Sequence, residues 1–394
     1  MNQPNQRLYF LDWIRICAFF VLILYHTGMY YVTWDWHVKS PFASHAIEPL
    51  MMLSSPWRLS LLFLVAGVAS AFLMQKLATG RFLRERSKRL LLPLLFGMLV
   101  IVPPQPYYEV VEQVGYTGSY LDFMGLYVKA YHGFCDKDGC LDLPTWNHLW
   151  FVAYLWVYTM VLGLIAVVAG AERIKAASNW LARQLRGWKM IVLPALFLAL
   201  VRIALRSRFP NAGGLVDDWF NHATYLPIFL AGVLLATQRE FWQEAEEKRF
   251  AALGIALACW ASIVVVDAMP NVSSGWTPFF RCVYTSCQWC AILAVCGFGH
   301  RHLNFDSAKR RYLTEAVFPV YILHQTLIVV FAHNMKPAGL PPVTEGLVLI
   351  VLTFCASFGI FEIVRRIPVL RPFFGLGREA QRPQLAAAPL RAAS

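Results

Sequence analysis

Runs of eighteen or more predominantly apolar residues recur along this chain, separated by short basic segments. A hydrocarbon core roughly 30 Å thick needs about 20 apolar residues of helix to cross it. In lipid the backbone must satisfy its own polar groups, so a crossing segment of this length is a helix. The runs predict spans at approximately 9–32, 57–77, 90–110, 147–170, 189–206, 220–237, 250–268, 279–299, 315–334 and 345–364. The fold class is therefore all-α, a polytopic bundle of about ten transmembrane helices. The fifth and sixth spans are the shortest and carry Pro194, Arg202 and Pro227, which a span tolerates only where neighbouring helices or a cavity satisfy them. Only 15% of residues are charged, against about 25% in a typical soluble domain.

Charge gives the bundle a direction. Of 35 Lys and Arg, 25 fall in alternate connecting segments, beginning with Arg7, and 9 fall in the other half of the molecule. By the positive-inside rule both termini are expected in the cytoplasm. The net charge of +12 is thus accounted for by topology, and no fold motif for nucleic-acid binding accompanies it. The first run contains Asp12 and Arg15 and lacks a small-residue cleavage site, so it is expected to stay as a helix and not to act as a signal peptide. Residues 1–380 read as one membrane domain, and the Ala/Pro/Arg-rich segment 381–394 as a disordered cytoplasmic tail.

Most of the nine cysteines lie in apolar runs, where small buried thiols are the ordinary case. Cys282, Cys287 and Cys290 lack the further His or Cys that would complete four metal ligands, so no metal site is expected. Cys135 and Cys140 flank a polar segment in the long outer loop, where an oxidising compartment permits a local disulfide.

Titratable residues at bilayer depth are expensive and mark function by default. The first helix carries Asp12, Arg15 and His26. Arg15 and His26 are eleven positions apart, which places them about 20° apart around the helix and roughly 16 Å apart along it. Asp12 is one turn before Arg15 and can pair with it. With His148 opening the fourth span and His324 inside the ninth, three histidines at related depths suggest a polar cavity.

Several motifs resemble the membrane acyltransferase type 3 family. They are Arg15 and His26 with ten residues between them, opening in Phe10-Leu11-Asp12-Trp13-Ile14-Arg15, and Leu62-Phe63-Leu64-Val65-Ala66-Gly67. Arg86-Ser87-Lys88-Arg89 followed by Pro93 resembles the family's paired-arginine motif, and His148-Leu149-Trp150-Phe151 its fourth-helix motif. Trp36-His37-Val38-Lys39-Ser40, the run Phe298 to Phe305 and Arg366-Ile367-Pro368-Val369-Leu370 resemble the branch that succinylates osmoregulated periplasmic glucans. Gln325 departs from that branch, which carries a second His there.

The resemblance implies a bacterial inner-membrane O-acyltransferase. Its donor would be acetyl-CoA or succinyl-CoA in the cytoplasm, with no tightly bound cofactor. Its acceptor would be a hydroxyl of an extracytoplasmic carbohydrate. His26, Arg15 and Asp12 are the expected catalytic residues, with His26 as the general base. Arg86 and Arg89 suit donor phosphates, and His148, His324 and Trp36 are expected to meet substrate. Intramembrane His, Arg and Asp also build proton relays, so a proton-coupled transporter is the rival class. Within enzymes, lipopolysaccharide, peptidoglycan or a small secreted metabolite are rival acceptors. The sequence leaves the oligomeric state open.

Overall fold

The computed structural model describes residues 8–136, 139–210, 213–269 and 273–377, so the 381–394 tail lies outside the described residues. Among the described residues ten long helices overlap the predicted spans. They are α1 (Tyr9–Met29), α2 (Arg58–Met74), α3 (Thr79–Phe96), α4 (Trp150–Gln184), α5 (Lys189–Leu205), α6 (Trp219–Leu235), α7 (Arg249–Asp267), α8 (Thr277–His302), α9 (Ala308–Met335) and α10 (Pro342–Arg366). Among the described residues, eight helical segments are long and apolar enough to cross a membrane. A ninth candidate is α6 together with Arg239–Glu247, which turn 111° against each other. The two predicted weak spans are α5 and α6, 17 residues each with an internal proline. Arg202 in α5 is accommodated by stacking, its guanidinium 3.6 Å from the ring centre of Tyr284 on α8.

α1 sits centrally and packs against α2, α8, α9 and α10, while α7 lies at the periphery against α8. The Gly67 of the Leu62–Gly67 motif is a packing device. A Cβ there would collide with the Phe229 carbonyl on α6, and one at Gly232 would collide with the Leu64 carbonyl on α2. Reciprocal glycines let the two backbones touch, the usual route to tight helix pairs in lipid. α4 breaks at Gly170, whose φ is 74°, where the predicted fourth span ends.

Contacts sort the connecting segments onto two ends, matching the partition made by the Lys and Arg count. At one end Trp13 donates to the Phe305 carbonyl at 3.3 Å, Arg89 donates to the Gly375 carbonyl at 3.0 Å, and Arg310 pairs with Asp12. At the other, Tyr31 bonds Glu345 at 3.0 Å, Lys336 pairs with Glu112 at 2.6 Å, and Trp260 donates to the Pro49 carbonyl at 2.9 Å.

Past α3 the chain enters a π-helical turn, Gly97–Ile101, then Pro104–Glu109, then a second π turn, Val110–Val114. The prolines of Pro103-Pro104-Gln105-Pro106 lack ladder donors, which favours such irregular turns. This segment delivers the fully buried Gln105 to the bundle interior. Beyond it, Val110, Phe123, Tyr127, Phe134 and Leu143 form a small separate core under the outer loops. Cys135 and Cys140 are bridged across a two-residue hairpin in this cap.

Candidate active site

The seam between α1 and α2 holds a cavity near each end. The inner one, about 370 Å³, is lined by Leu8, Leu11, Asp12 and Arg15 from α1 and by Val65 to Lys76 from α2 and its end. The outer one, about 240 Å³, is lined by His26, Trp36, His37, Arg58, His148 and Gln325 among others. That volume is below the roughly 300–1,000 Å³ of pockets that enclose drug-sized ligands. It suits a small group and one reacting partner.

Hydrogen bonds decide the protonation of every histidine ring in and beside the outer cavity. His324 Nδ1 lies 2.6 Å from the Tyr321 carbonyl, which can only accept, so this nitrogen carries the hydrogen. His324 Nε2 is then an acceptor, and His26 Nδ1 donates to it at 2.8 Å. His148 Nε2 donates to the Ile322 carbonyl at 3.1 Å, and its Nδ1 receives the Gln105 carboxamide N–H at 3.3 Å. His37 Nδ1 donates to the Glu109 carboxylate, and its Nε2 receives a Gln325 N–H at 3.0 Å. Among the described residues, the ring nitrogen of these four left without a bond is His26 Nε2. It is a neutral lone pair on a cavity-lining residue, the state a general base requires.

Gln105 is the hub behind this arrangement. Its N–H groups serve His148 and Thr326, while its oxygen receives Asn147 at 3.1 Å and Gln325 at 3.0 Å. Gln325 occupies the position where the branch resemblance fails. Its two amide hydrogens reach His37 and Gln105 from a single nitrogen. An imidazole has only one hydrogen per nitrogen and could not reproduce both bonds from one atom. Above the cavity, Lys39 donates to the Met29 and Trp34 carbonyls at 2.7 and 2.6 Å, pinning the loop that carries Trp36 and His37. Burial pushes the Lys39 ammonium down to about 8.

The predicted site residues thus separate into two groups. His26, His148, His324 and Trp36 meet at the outer cavity or its wall. The structure does not bring Asp12 and Arg15 to them. Both line the inner cavity, where Arg15 lies 3.5 Å from Asp12, and Asp12 also pairs with the buried Arg310. His148 has both nitrogens engaged, so it braces the wall. Arg86 is on the inner side, within electrostatic reach of Arg89 and Arg15, and its Nε and Nη2 are buried without partners. Tyr107 packs on Tyr120 and Phe123, making the cap's own core. Among the described residues no cluster of His, Cys, Asp and Glu is arranged to hold a metal ion.

Gln105 and Arg58 escaped the sequence reading, and His37 entered it only as part of a branch motif and not as a site residue. Gln105 and Arg58 are polar residues at span edges, a signal that depth alone could have raised. Arg58, at the start of α2, is 5% exposed, and its guanidinium lies 3.2 Å from the ring centre of Tyr25.

Comparison with known proteins converges on one chemistry. A family model described as an acyltransferase domain matches residues 8–362. The glucans biosynthesis protein C of Escherichia coli K12 is 25% identical over 386 residues, covering 94% of this chain and 95% of that protein. The protein of the same name from Salmonella enteritidis PT4 is 23% identical over 380 residues, with the same coverage. No solved structure matches the chain.

Proposed function

The chain belongs to the acyltransferase 3 family of membrane O-acyltransferases, and on that premise we propose that it carries acyl groups across the bilayer from a cytoplasmic acyl-CoA to a hydroxyl of an extracytoplasmic carbohydrate. The acyl group is succinyl or acetyl, the membrane is the bacterial inner membrane, and the acceptor is a periplasmic glucan. The names of the relatives support the acceptor. The two-ended distribution of charge supports the direction.

The observation that carries the reading is the free Nε2 of His26 beside a small cavity. A sugar hydroxyl is a weak nucleophile until a base takes its proton, a contribution of about 10²–10⁴ in rate. In the proposed reaction His26 Nε2 accepts that proton while the hydroxyl oxygen attacks the thioester carbonyl. The C–S bond then breaks, the ester forms, and the imidazolium returns the proton to the departing thiolate. His324 accepts from Nδ1 throughout and keeps Nε2 directed at the substrate, as the orienting partner does in other base dyads.

On the inner side, Arg15, Arg86 and Arg89 hold the donor's phosphates, and the cavity containing Asp12 and Arg15 receives the donor. Guanidinium groups suit this task because their rigid N–H fork matches phosphate oxygens. Trp36, buried in the wall of the outer cavity, offers its ring to the acceptor there.

The test is acylation by purified protein in nanodiscs, given labelled succinyl-CoA or acetyl-CoA and a panel of glycans. Ester formation on a glycan, lost in His26→Ala, is the expected result. Undiminished ester formation by that variant would remove His26 from the chemistry.

A further inference from the structure

The outer cavity contains a full positive charge that the transfer chemistry does not use. Arg58 lines it, is 5% exposed, and has Nε and Nη1 buried without a hydrogen-bond partner. No Asp or Glu is among the cavity's lining residues, and Arg58 makes no ion pair among the described residues. The described contact of its guanidinium is the face of Tyr25, one residue before His26. A ring face stabilises a cation far less than a carboxylate does, and an isolated buried charge is costly to keep. Retaining one beside the reacting centre makes sense where the bound substrate supplies the counter-charge.

We propose that Arg58 selects the acyl group, its guanidinium receiving a carboxylate at the far end of the acyl chain, so that the protein takes dicarboxylic monoacyl thioesters in preference to neutral ones. This rests on the donor reading above and decides between its two acyl groups in favour of succinyl. Position supports the assignment. In the donor reading above the thioester arrives from the inner cavity, and Arg58 and His26 line the outer cavity together. An acyl chain whose carbonyl lies at His26 must project its remaining atoms into that same small space. An acceptor carrying its own anion would have to bring it past the rim to a side chain that is almost wholly buried. Persistence of charge also matters: a ground-state carboxylate neutralises Arg58 throughout binding, whereas a transient oxyanion would leave it unpaired until the barrier.

The test needs no acceptor. Two non-transferable thioether analogues, S-(3-carboxypropyl)-coenzyme A and S-butyl-coenzyme A, are titrated into nanodisc-embedded wild type, Arg58→Lys and Arg58→Gln. The wild type is expected to bind the carboxylated analogue about 10- to 100-fold more tightly, the range of a hydrogen bond to a charged group. Arg58→Lys should keep part of that ratio, and Arg58→Gln should bring it near one. Because the ratio is read first in the wild type, misfolding of a variant cannot hide the result. Equal binding of both analogues by the wild type, or an undiminished ratio in Arg58→Gln, overturns the selection role alone. Failure of both analogues to bind overturns the acyl-CoA donor reading and this inference with it.

Discussion

His26 Nδ1 donates to His324 Nε2 at 2.8 Å, with the two rings within 6° of parallel, across 298 residues of sequence. The Tyr321 carbonyl holds the far nitrogen of His324 in its protonated form, so the backbone of α9 dictates which nitrogen of α1's histidine is free.

His324 is therefore expected to act through His26. His324→Ala should lower kcat for acyl transfer by about 10²-fold or more by releasing the His26 ring and its tautomer. His324→Gln, whose carboxamide oxygen can accept from Nδ1, should restore part of the rate. Equal losses in the two variants, measured as initial rates at saturating donor, would point to a packing role instead.

Donor contacts on the inner side should separate from chemistry. Arg86→Ala is expected to raise KM for acyl-CoA about 10-fold, consistent with the loss of a charge-assisted bond worth roughly 1.5–3 kcal/mol. Its kcat should change far less than that of the His324 variants. Steady-state kinetics with donor varied would show this, and a fall confined to kcat would contradict it.

Gln105 should matter to stability. Gln105→Leu strands the His148 acceptor and the Asn147 and Gln325 donors that now share one carboxamide. A destabilisation of about 1–3 kcal/mol is expected. Thermal unfolding in detergent measures it, and an unchanged melting temperature would mean that water replaces the carboxamide without cost.

The Cys135–Cys140 bridge offers a check on orientation. Its short loop should contribute about 2 kcal/mol by chain entropy. On intact cells, a membrane-impermeant maleimide should label these two thiols after mild reduction and not before. Labelling without reduction, or only after permeabilisation, would contradict an oxidised extracytoplasmic cap.

Much of the site was legible in the residues themselves. Arg15 and His26 lie on one face because helix geometry is local, and Arg86 and Arg89 are expected at the basic end of the bundle because basic residues report topology. Gly67 was readable as part of a motif, though its purpose emerged only where Phe229 presses its carbonyl against it. Asp12 shows the limit. Sequence neighbours paired it with Arg15 and grouped both with His26, while the fold adds Arg310 from 298 residues away and keeps the cluster in the inner cavity.

The sequence by itself determined the solvent and the helical class of this protein, and its charge pattern set the expected direction. Hydropathy and charge act residue by residue, and no tertiary contact is needed to make a twenty-residue apolar run seek lipid. Only the tertiary structure decided which histidine keeps a ring nitrogen without a bond and which have both nitrogens engaged. A ring's protonation depends on the atom facing each nitrogen, and here those atoms come from α9, from the proline-rich segment around Gln105 and from the loop of His37. The same holds for Arg58, whose charge is unremarkable at the end of a span until the bundle closes around it and leaves two of its nitrogens without partners.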